Sequence, residues 1–387
     1  MCSTGDASDA LAQRVSTLPQ PGTCMGRLLT RAACLLASAL FVVFVANQLK
    51  PPVPDTPAST LCANFFLQQE VEPWKKEQTL QMAENAGIGW AKQQFAWEEA
   101  EPTRGVYTWQ KFDELVSLYA QHHLQVIARL DRPPNWTKKD PRFKQGPPDD
   151  PEDFGAFVFA FVTHFKGRVR YIQVWNEPNL LSEWGGRPPN PAEYLRLLDV
   201  AYRRAKQADP QVQVLSAPLA PTLEQSPIAL DDLLFLAQLV KLGGQRSFDI
   251  LSANAFGQDH APDDPPSLSR LNFRRVELER NIMALYGDTA KPIWINEYGW
   301  NASPAYFMVR EGALIWQRVS EQSQAEYTVR GLQKARSDWP WAGPLCIWYF
   351  RQVGNISPER SDYYFRMVDP DFTPRPLYNA IKAYAGK

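Results

Sequence analysis

Between Leu61 and Phe350, short apolar runs rich in β-formers take turns with stretches whose apolar residues recur at helical spacing. The β-like runs fall at Leu61–Leu67, Gly89–Ala96, Leu124–Leu130, Val169–Trp175, Val212–Ala217, Phe248–Asn254, Pro292–Asn296 and Pro344–Phe350. Between them lie amphipathic stretches such as "KKEQTLQMAENAG", "QKFDELVSLYAQHH", "PAEYLRLLDVAYRRAKQADP" and "FRRVELERNIMALYGD". Strict alternation of strand and helix implies parallel strands, and eight such units over residues 60–387 predict an α/β fold of the (β/α)8 TIM-barrel type. The competing doubly wound sheet requires a glycine-rich phosphate turn after its first strand, and "FFLQQEVEP" offers none.

The chain ahead of this domain has a different pattern. Arg14, Arg27 and Arg31 precede an apolar stretch from Ala32 to Ala46, which Gln48 and Leu49 extend through an interface, and "PPVPDTP" follows. This order predicts a cytoplasmic tail at 1–31, a signal anchor or transmembrane segment at 32–49 and a stiff proline-rich linker at 50–59. A cleaved signal peptide and a secreted domain are the alternative. Either way the barrel is expected outside the cytoplasm, with the membrane as a partner of the N-terminal segment in the first case.

Composition adds mainly exclusions. The 387 residues are 44% hydrophobic and 12% aromatic, enough for a large core. Lys plus Arg number 41 against 42 for Asp plus Glu, with no basic block, so nucleic acid is not an expected partner. Of the cysteines, only Cys62 and Cys346 lie in the domain; both sit in apolar runs and are expected to be buried and free. His122, His123, His164 and His260 show no metal-ligand spacing, and no cofactor is implied.

The ends of the fourth and seventh strands hold the candidate chemistry. "RVRYIQVWNEPNL" delivers Glu177 just past strand four, and "KPIWINEYGW" delivers Glu297 to the matching place after strand seven. Active sites of such barrels lie at the carboxyl ends of the strands, so closure brings the two carboxyl groups to one rim. Two facing carboxyls are what cleavage of a glycosidic bond needs: one protonates the leaving oxygen, the other attacks or activates water. The first must hold a raised pKa, expected from burial against Trp175 and from the negative Glu297. Pro178 is expected to keep Glu177 in extended backbone.

"WNEPN" and "INEYGW", in this order and at these strand ends, resemble the two catalytic signatures of glycoside hydrolase clan A, retaining β-glycosidases on this barrel. "QQFAWEEAEPTRGVYTWQKFDELV" and "DPDFTPRPLYNAIKAY" extend the resemblance over nearly the whole domain, which is most similar to family 39 and the cellulase-family proteins. The resemblance implies a carbohydrate substrate, Glu177 as acid/base, Glu297 as nucleophile and Asn176 as the amide that holds the sugar 2-hydroxyl. Lys92 takes the place where clan members carry an arginine that stabilises the nucleophile. Trp97, Trp136, Trp300 and Trp348 finish or follow strands and are expected to ring the mouth, Trp348 matching the clan's tryptophan late in strand eight; Trp184 is assigned to a distal subsite and Tyr298 to the substrate. One departure stands out. Where the clan commonly has His-x-Tyr, with the phenol bonded to the nucleophile, this chain reads Asn254-Ala255-Phe256, so Asn254 and Phe256 are expected at the substrate and Glu297 is expected to lose one hydrogen bond. A silent glycan-binding barrel and a transglycosylase using the same glutamates remain alternatives. Asn-x-Ser/Thr triplets occur at Asn135, Asn301 and Asn355, of which Asn301 is expected to be unmodified.

Overall fold

The computed structural model describes residues 60–304, 317–354 and 357–386. Among these the strands are β1 (Leu61–Phe65), β2 (Trp90–Ala96), β3 (Gln125–Asp131), β4 (Tyr171–Val174), β5 (Gln213–Leu215), β6 (Leu251–Phe256), β7 (Ile293–Gly299) and β8 (Ala342–Ile347). Helices follow them in turn: α1 (Pro73–Asn85), α2 (Gln110–Gln121), α3 (Pro151–His164), α4 (Pro191–Ala208), α5 (Asp232–Lys241), α6 (Val276–Leu285), α7 (Glu321–Asp338) and α8 (Pro376–Tyr384). Proline at the first turn starts α1, α3, α4 and α8, where a missing N–H costs nothing. Asp150, Asn190, Asp231 and Ser320 cap α3, α4, α5 and α7 through their side chains.

All pairings are parallel, in the order β5-β4-β3-β2-β1-β8-β7-β6. The two ends of this sheet meet through a single bridge, Leu215 to Ile250, extended by the Ser252 amide, which donates to the Ser216 hydroxyl at 3.0 Å. The expected (β/α)8 barrel is therefore present, with its thinnest seam between β5 and β6. The segment predicted as anchor and linker lies outside the described residues, and no helix among the described residues is long and apolar enough to cross a membrane.

Strand alternation divides the core in two. One buried cluster fills the lower barrel with Cys62, Trp90, Ile127, Tyr171, Leu215, Ile250, Trp294 and Cys346, one residue from each strand or its start. The larger cluster lies between sheet and helices and includes Phe95, Phe157, Phe161 and Phe165.

Cys62 and Cys346 are not free: they form a disulfide inside the barrel. Their strands are hydrogen-bonded neighbours and the two residues are register partners, a proximity hidden by a sequence separation of 284. The free-thiol expectation treated each run alone, whereas barrel closure makes the first and last strands adjacent.

Outside the barrel, Arg275 lies between Asp231 and Asp232 at the helical layer, bonded to both Asp232 oxygens at 2.9 Å. Glu279 is buried beside them with Oε2 lacking a hydrogen-bond partner, and burial, reinforced by the Asp232 charge, raises its pKa well above the ordinary value. A carboxyl raised in the folded state favours folding most when protonated, so this group withdraws stability as pH climbs above its unfolded value. Glu279→Gln, an uncharged isostere, is expected to leave the thermal midpoint at pH 5 unchanged and to raise it at pH 8. Melting curves at both pH values check this; a lower midpoint at pH 8 would contradict it.

Candidate active site

Inward-facing positions become polar above the apolar layer. Asn64 follows Cys62 by two residues, Lys92 and Gln94 follow Trp90, Arg129 and Asp131 follow Ile127, Gln173 follows Tyr171, and Ser252 and Asn254 follow Ile250. These side chains are joined. Asn296 donates to Gln173 Oε1 at 2.6 Å and to Ser252 Oγ at 3.0 Å, and Asn64 donates to the Asn296 carbonyl at 3.0 Å. Gln173 in turn donates to the Trp175 carbonyl at 2.6 Å and lies 3.5 Å from Asn176 Oδ1, which leaves the Asn176 amide N–H groups for a ligand.

β7 contains a register shift at this level: Ala253 pairs with Ile295, but Asn254 pairs with Glu297. Asn296 is the extra residue, and such a bulge lets two successive side chains, Asn296 and Glu297, both face the interior. Glu297 Oε1 accepts from Lys92 Nζ at 2.7 Å, and both side chains are buried. Burial pulls the Lys92 ammonium below its ordinary pKa while the Glu297 carboxylate opposes that. Lys92 thus holds Glu297 from β2, while Phe256, in the tyrosine's place, has no hydroxyl to add a second bond.

Glu177 lies near enough for the Glu297 charge to act on it. Its Oε1 accepts from Asn254 Nδ2 at 2.7 Å, and Asn254 is the register partner of Glu297, so one amide connects the two glutamate positions. Burial first, then the charges of Glu297 and Glu183, push the Glu177 carboxyl up to about 8. The Asn254 bond opposes the shift. Glu177 therefore keeps its proton at neutral pH. Its backbone corrects the expectation from Pro178: φ is +41° at Glu177 and +74° at Trp175, a left-handed turn and not an extended one. Residues without glycine's freedom adopt this only when their surroundings enforce it; here the Glu177 amide donates to the Pro218 carbonyl at 3.0 Å and its carbonyl accepts from Leu180 at 3.0 Å. The same turn sends Trp175 outward, against Phe154 and Trp184, so it is not the wall beside Glu177.

The expected aromatic ring reduces largely to Trp348. Half-buried, it lines a small hollow of about 60 Å³ with Asn64, Phe66, Lys92, Gln94 and Arg129, and it meets Phe66 edge to face at 5.6 Å. Trp97 is buried outside the barrel, stacked on Phe157 of α3 at 5.2 Å and bonded to Glu101, because the strand turns into a helical segment at that residue. Trp136 packs on Trp97 at 5.6 Å beneath the Arg104 guanidinium. Trp300 is buried against Phe273, its indole N–H on the His260 carbonyl at 2.7 Å. Tyr298, one residue past Glu297, points outward with its hydroxyl toward the Thr328 carbonyl of α7. Trp184 is buried and bonded to Glu193, not set in a subsite. Phe256 is buried in a cluster with Phe365, Tyr349, Phe66 and Trp348. Asn301 is buried with its amide on the Ser361 carbonyl at 2.7 Å, leaving no room for a glycan, while Asn355 lies outside the described residues.

Three charged residues at the mouth escaped the sequence reading. Arg129 donates to Asp131 at 2.5 Å, Asp131 accepts from Gln94 at 2.8 Å, and Glu183 on the loop after β4 is pushed up to about 7 by burial. Polar residues at every second position of otherwise apolar strands were the available signal for the first two; nothing local marks Glu183. Among the described residues no cluster of metal-ligating side chains occurs.

Comparison with known proteins fits this geometry. A family 39 glycoside hydrolase from Bacteroides cellulosilyticus superposes with a TM-score of 0.65 at 18% identity, covering 84% of this chain and 63% of that one. The chain has the fold of the family 39 glycoside hydrolases. A second family 39 structure, a beta-xylosidase from Caulobacter crescentus, has a TM-score of 0.62 at 18% identity over 85% of this chain and 71% of that protein. The sequence profile of glycoside hydrolase family 42, described as beta-galactosidase, matches residues 66–145. A beta-xylosidase of Geobacillus stearothermophilus is 36% identical over 75 residues, which is 18% of this barrel-bearing chain and 14% of that relative. The chain thus spans a small part of the curated relative and under two thirds of the Bacteroides enzyme.

Proposed function

We propose that this barrel is a retaining β-glycosidase that cleaves a poly- or oligosaccharide, with Glu177 as acid/base and Glu297 as nucleophile. The observation that carries the proposal is the unequal pair at one mouth: Glu177 protonated and held by Asn254, Glu297 bonded to the Lys92 ammonium. Two carboxyls in such different surroundings divide into acid and nucleophile. In the first step Glu177 gives its proton to the glycosidic oxygen while a Glu297 oxygen bonds to the anomeric carbon and the leaving alcohol departs. In the second, Glu177 takes a proton from water, whose oxygen displaces Glu297 and restores the original anomeric configuration. In this reading Asn176 donates to the 2-hydroxyl and Trp348 faces the ring. The family 39 fold and the beta-xylosidase relative support this reading.

The raised pKa of Glu177 suits the acid of this reading, which must be protonated when substrate binds. The kcat/KM profile is expected to fall as pH rises through about 8, the value to which Glu177 is pushed. Incubation with 2-fluoro glycosides of several sugars should trap a covalent adduct on the peptide bearing Glu297. An adduct elsewhere, or proton NMR showing inverted product, would refute the assignment. The export signature at 14–49 supports a site of action outside the cytoplasm, and the Cys62–Cys346 disulfide suits an oxidising compartment.

A further inference from the structure

A second aromatic feature lies outside the mouth. Trp74, at the start of α1, is 58% exposed, and Val71 before it is 86% exposed. A single exposed apolar side chain is ordinary, but Trp74 borders a hollow and offers a flat aromatic face to it. Trp74 is not loose. Its ring tilts against Phe372 at 5.7 Å, its N–H is 3.4 Å from Glu72 Oε1, and the Lys75 ammonium sits 5.5 Å from the ring centre while pairing with Glu72. A platform fixed on several sides loses little entropy on binding.

The indole forms one wall of a hollow of about 400 Å³ between α1 and α2, whose floor alternates apolar Leu115 and Leu118 with polar Lys76, Glu77 and Glu114. Glu77 is held in place by His122 Nε2 at 3.0 Å. Beyond this hollow the open outer face of α2 continues from Glu114 and Leu118 with Gln110, Asp113, Ser117 and Gln121.

We propose that this trough is a surface site for a polymeric glycan, separate from the catalytic mouth. Sugar rings present C–H faces and hydroxyl edges, which match an indole and leucines interleaved with carboxylate, amide, hydroxyl and ammonium groups. Charge excludes other occupants. Glu72 is paired with Lys75 and Asp113 with Arg168, which leaves Glu77 and Glu114 against Lys76, so no excess of positive charge is offered to nucleic acid, an anionic bilayer or an acidic peptide. Position gives the site a purpose. α1 begins just after the carboxyl end of β1, joined by the turn at Leu67–Gln69, so Trp74 stands at the same end of the barrel as Glu177 and Glu297. A polymer held there is kept near the mouth. The choice of a glycan as occupant rests on the glycosidase reading, but binding is measured without turnover.

The test uses the full chain, as wild type and as Trp74→Ala, in native gels containing soluble β-1,4-xylan, mixed-linkage β-glucan or galactomannan. Wild type should be retarded by at least one of these polymers, with the dissociation constant rising about tenfold or more in Trp74→Ala and only partly in Trp74→Phe. Cleavage of short aryl glycosides should be the same for wild type and Trp74→Ala. No retardation of wild type on any polymer, equal retardation of Trp74→Ala, or retardation abolished by about 1 M NaCl, the mark of a charged contact, would each overturn the proposal. A chain that binds polymer through Trp74 but yields no 2-fluoro glycoside adduct would retain this site while refuting the glycosidase reading, so the two failures are distinct.

Discussion

Glu297→Gln is expected to lower kcat by roughly 10³-fold or more on any substrate the wild type cleaves, because an amide cannot form the glycosyl ester. A cost in stability accompanies the loss. Lys92 is buried with Glu297 Oε1 as its charged partner at 2.7 Å, and removing one member of a buried pair costs about 3–5 kcal/mol, less whatever the glutamine carbonyl retains as acceptor. The two effects separate in the double variant Lys92→Met/Glu297→Gln. Replacing both charges should recover much of the thermal midpoint and none of the turnover. Rates above a tenth of wild type in a folded Glu297→Gln protein would remove this residue from the chemistry.

Replacing both Cys62 and Cys346 by alanine is the second large effect. The bond closes a loop over a sequence separation of 284, and chain-entropy reckoning assigns such a cross-link on the order of 5 kcal/mol. The urea midpoint of the double variant is expected to fall accordingly, with the slope of the transition rising as its unfolded chain expands. Both sulfurs are buried, so the variant is a cleaner comparison than added reductant, which would reach them slowly. An unchanged midpoint would mean that the pairing adds nothing to the folded state.

The barrel was legible because its signal is repeated: each strand and helix is short and ambiguous alone, but their alternation is not. The two glutamates were legible because each is in an Asn-Glu pair at the end of an apolar run, although β7 continues past Glu297 to Gly299. What failed was side-chain direction. By strict alternation Trp294, Asn296 and Tyr298 share a face, which would put Tyr298 inside and Glu297 outside. The register shift at Asn296 reverses this, and no residue pattern announces it. Trp97 and Trp300 were misplaced for a related reason. Lying at strand ends put them near the mouth in sequence, while the turn of the backbone sent their rings toward the helices. Trp348, expected at the mouth from its match to the clan's tryptophan late in strand eight, does line it, two residues past Cys346 and just beyond the end of β8. The disulfide was missed because contact between first and last strands belongs to closure, which no local window contains.

The seams of the ring differ greatly in strength. β1 and β8 are joined by a ladder and a covalent bond, whereas β5 and β6 meet through the Leu215–Ile250 bridge and the Ser216 hydroxyl. Spontaneous breathing of the native protein should therefore begin opposite the covalent clasp, with amide deuteration appearing early along Gln213–Leu215 and late along Leu61–Phe65. That distribution leaves the arc bearing Lys92 and Trp348 rigid and allows the give to fall on the far side, beside the strand that holds Asn254.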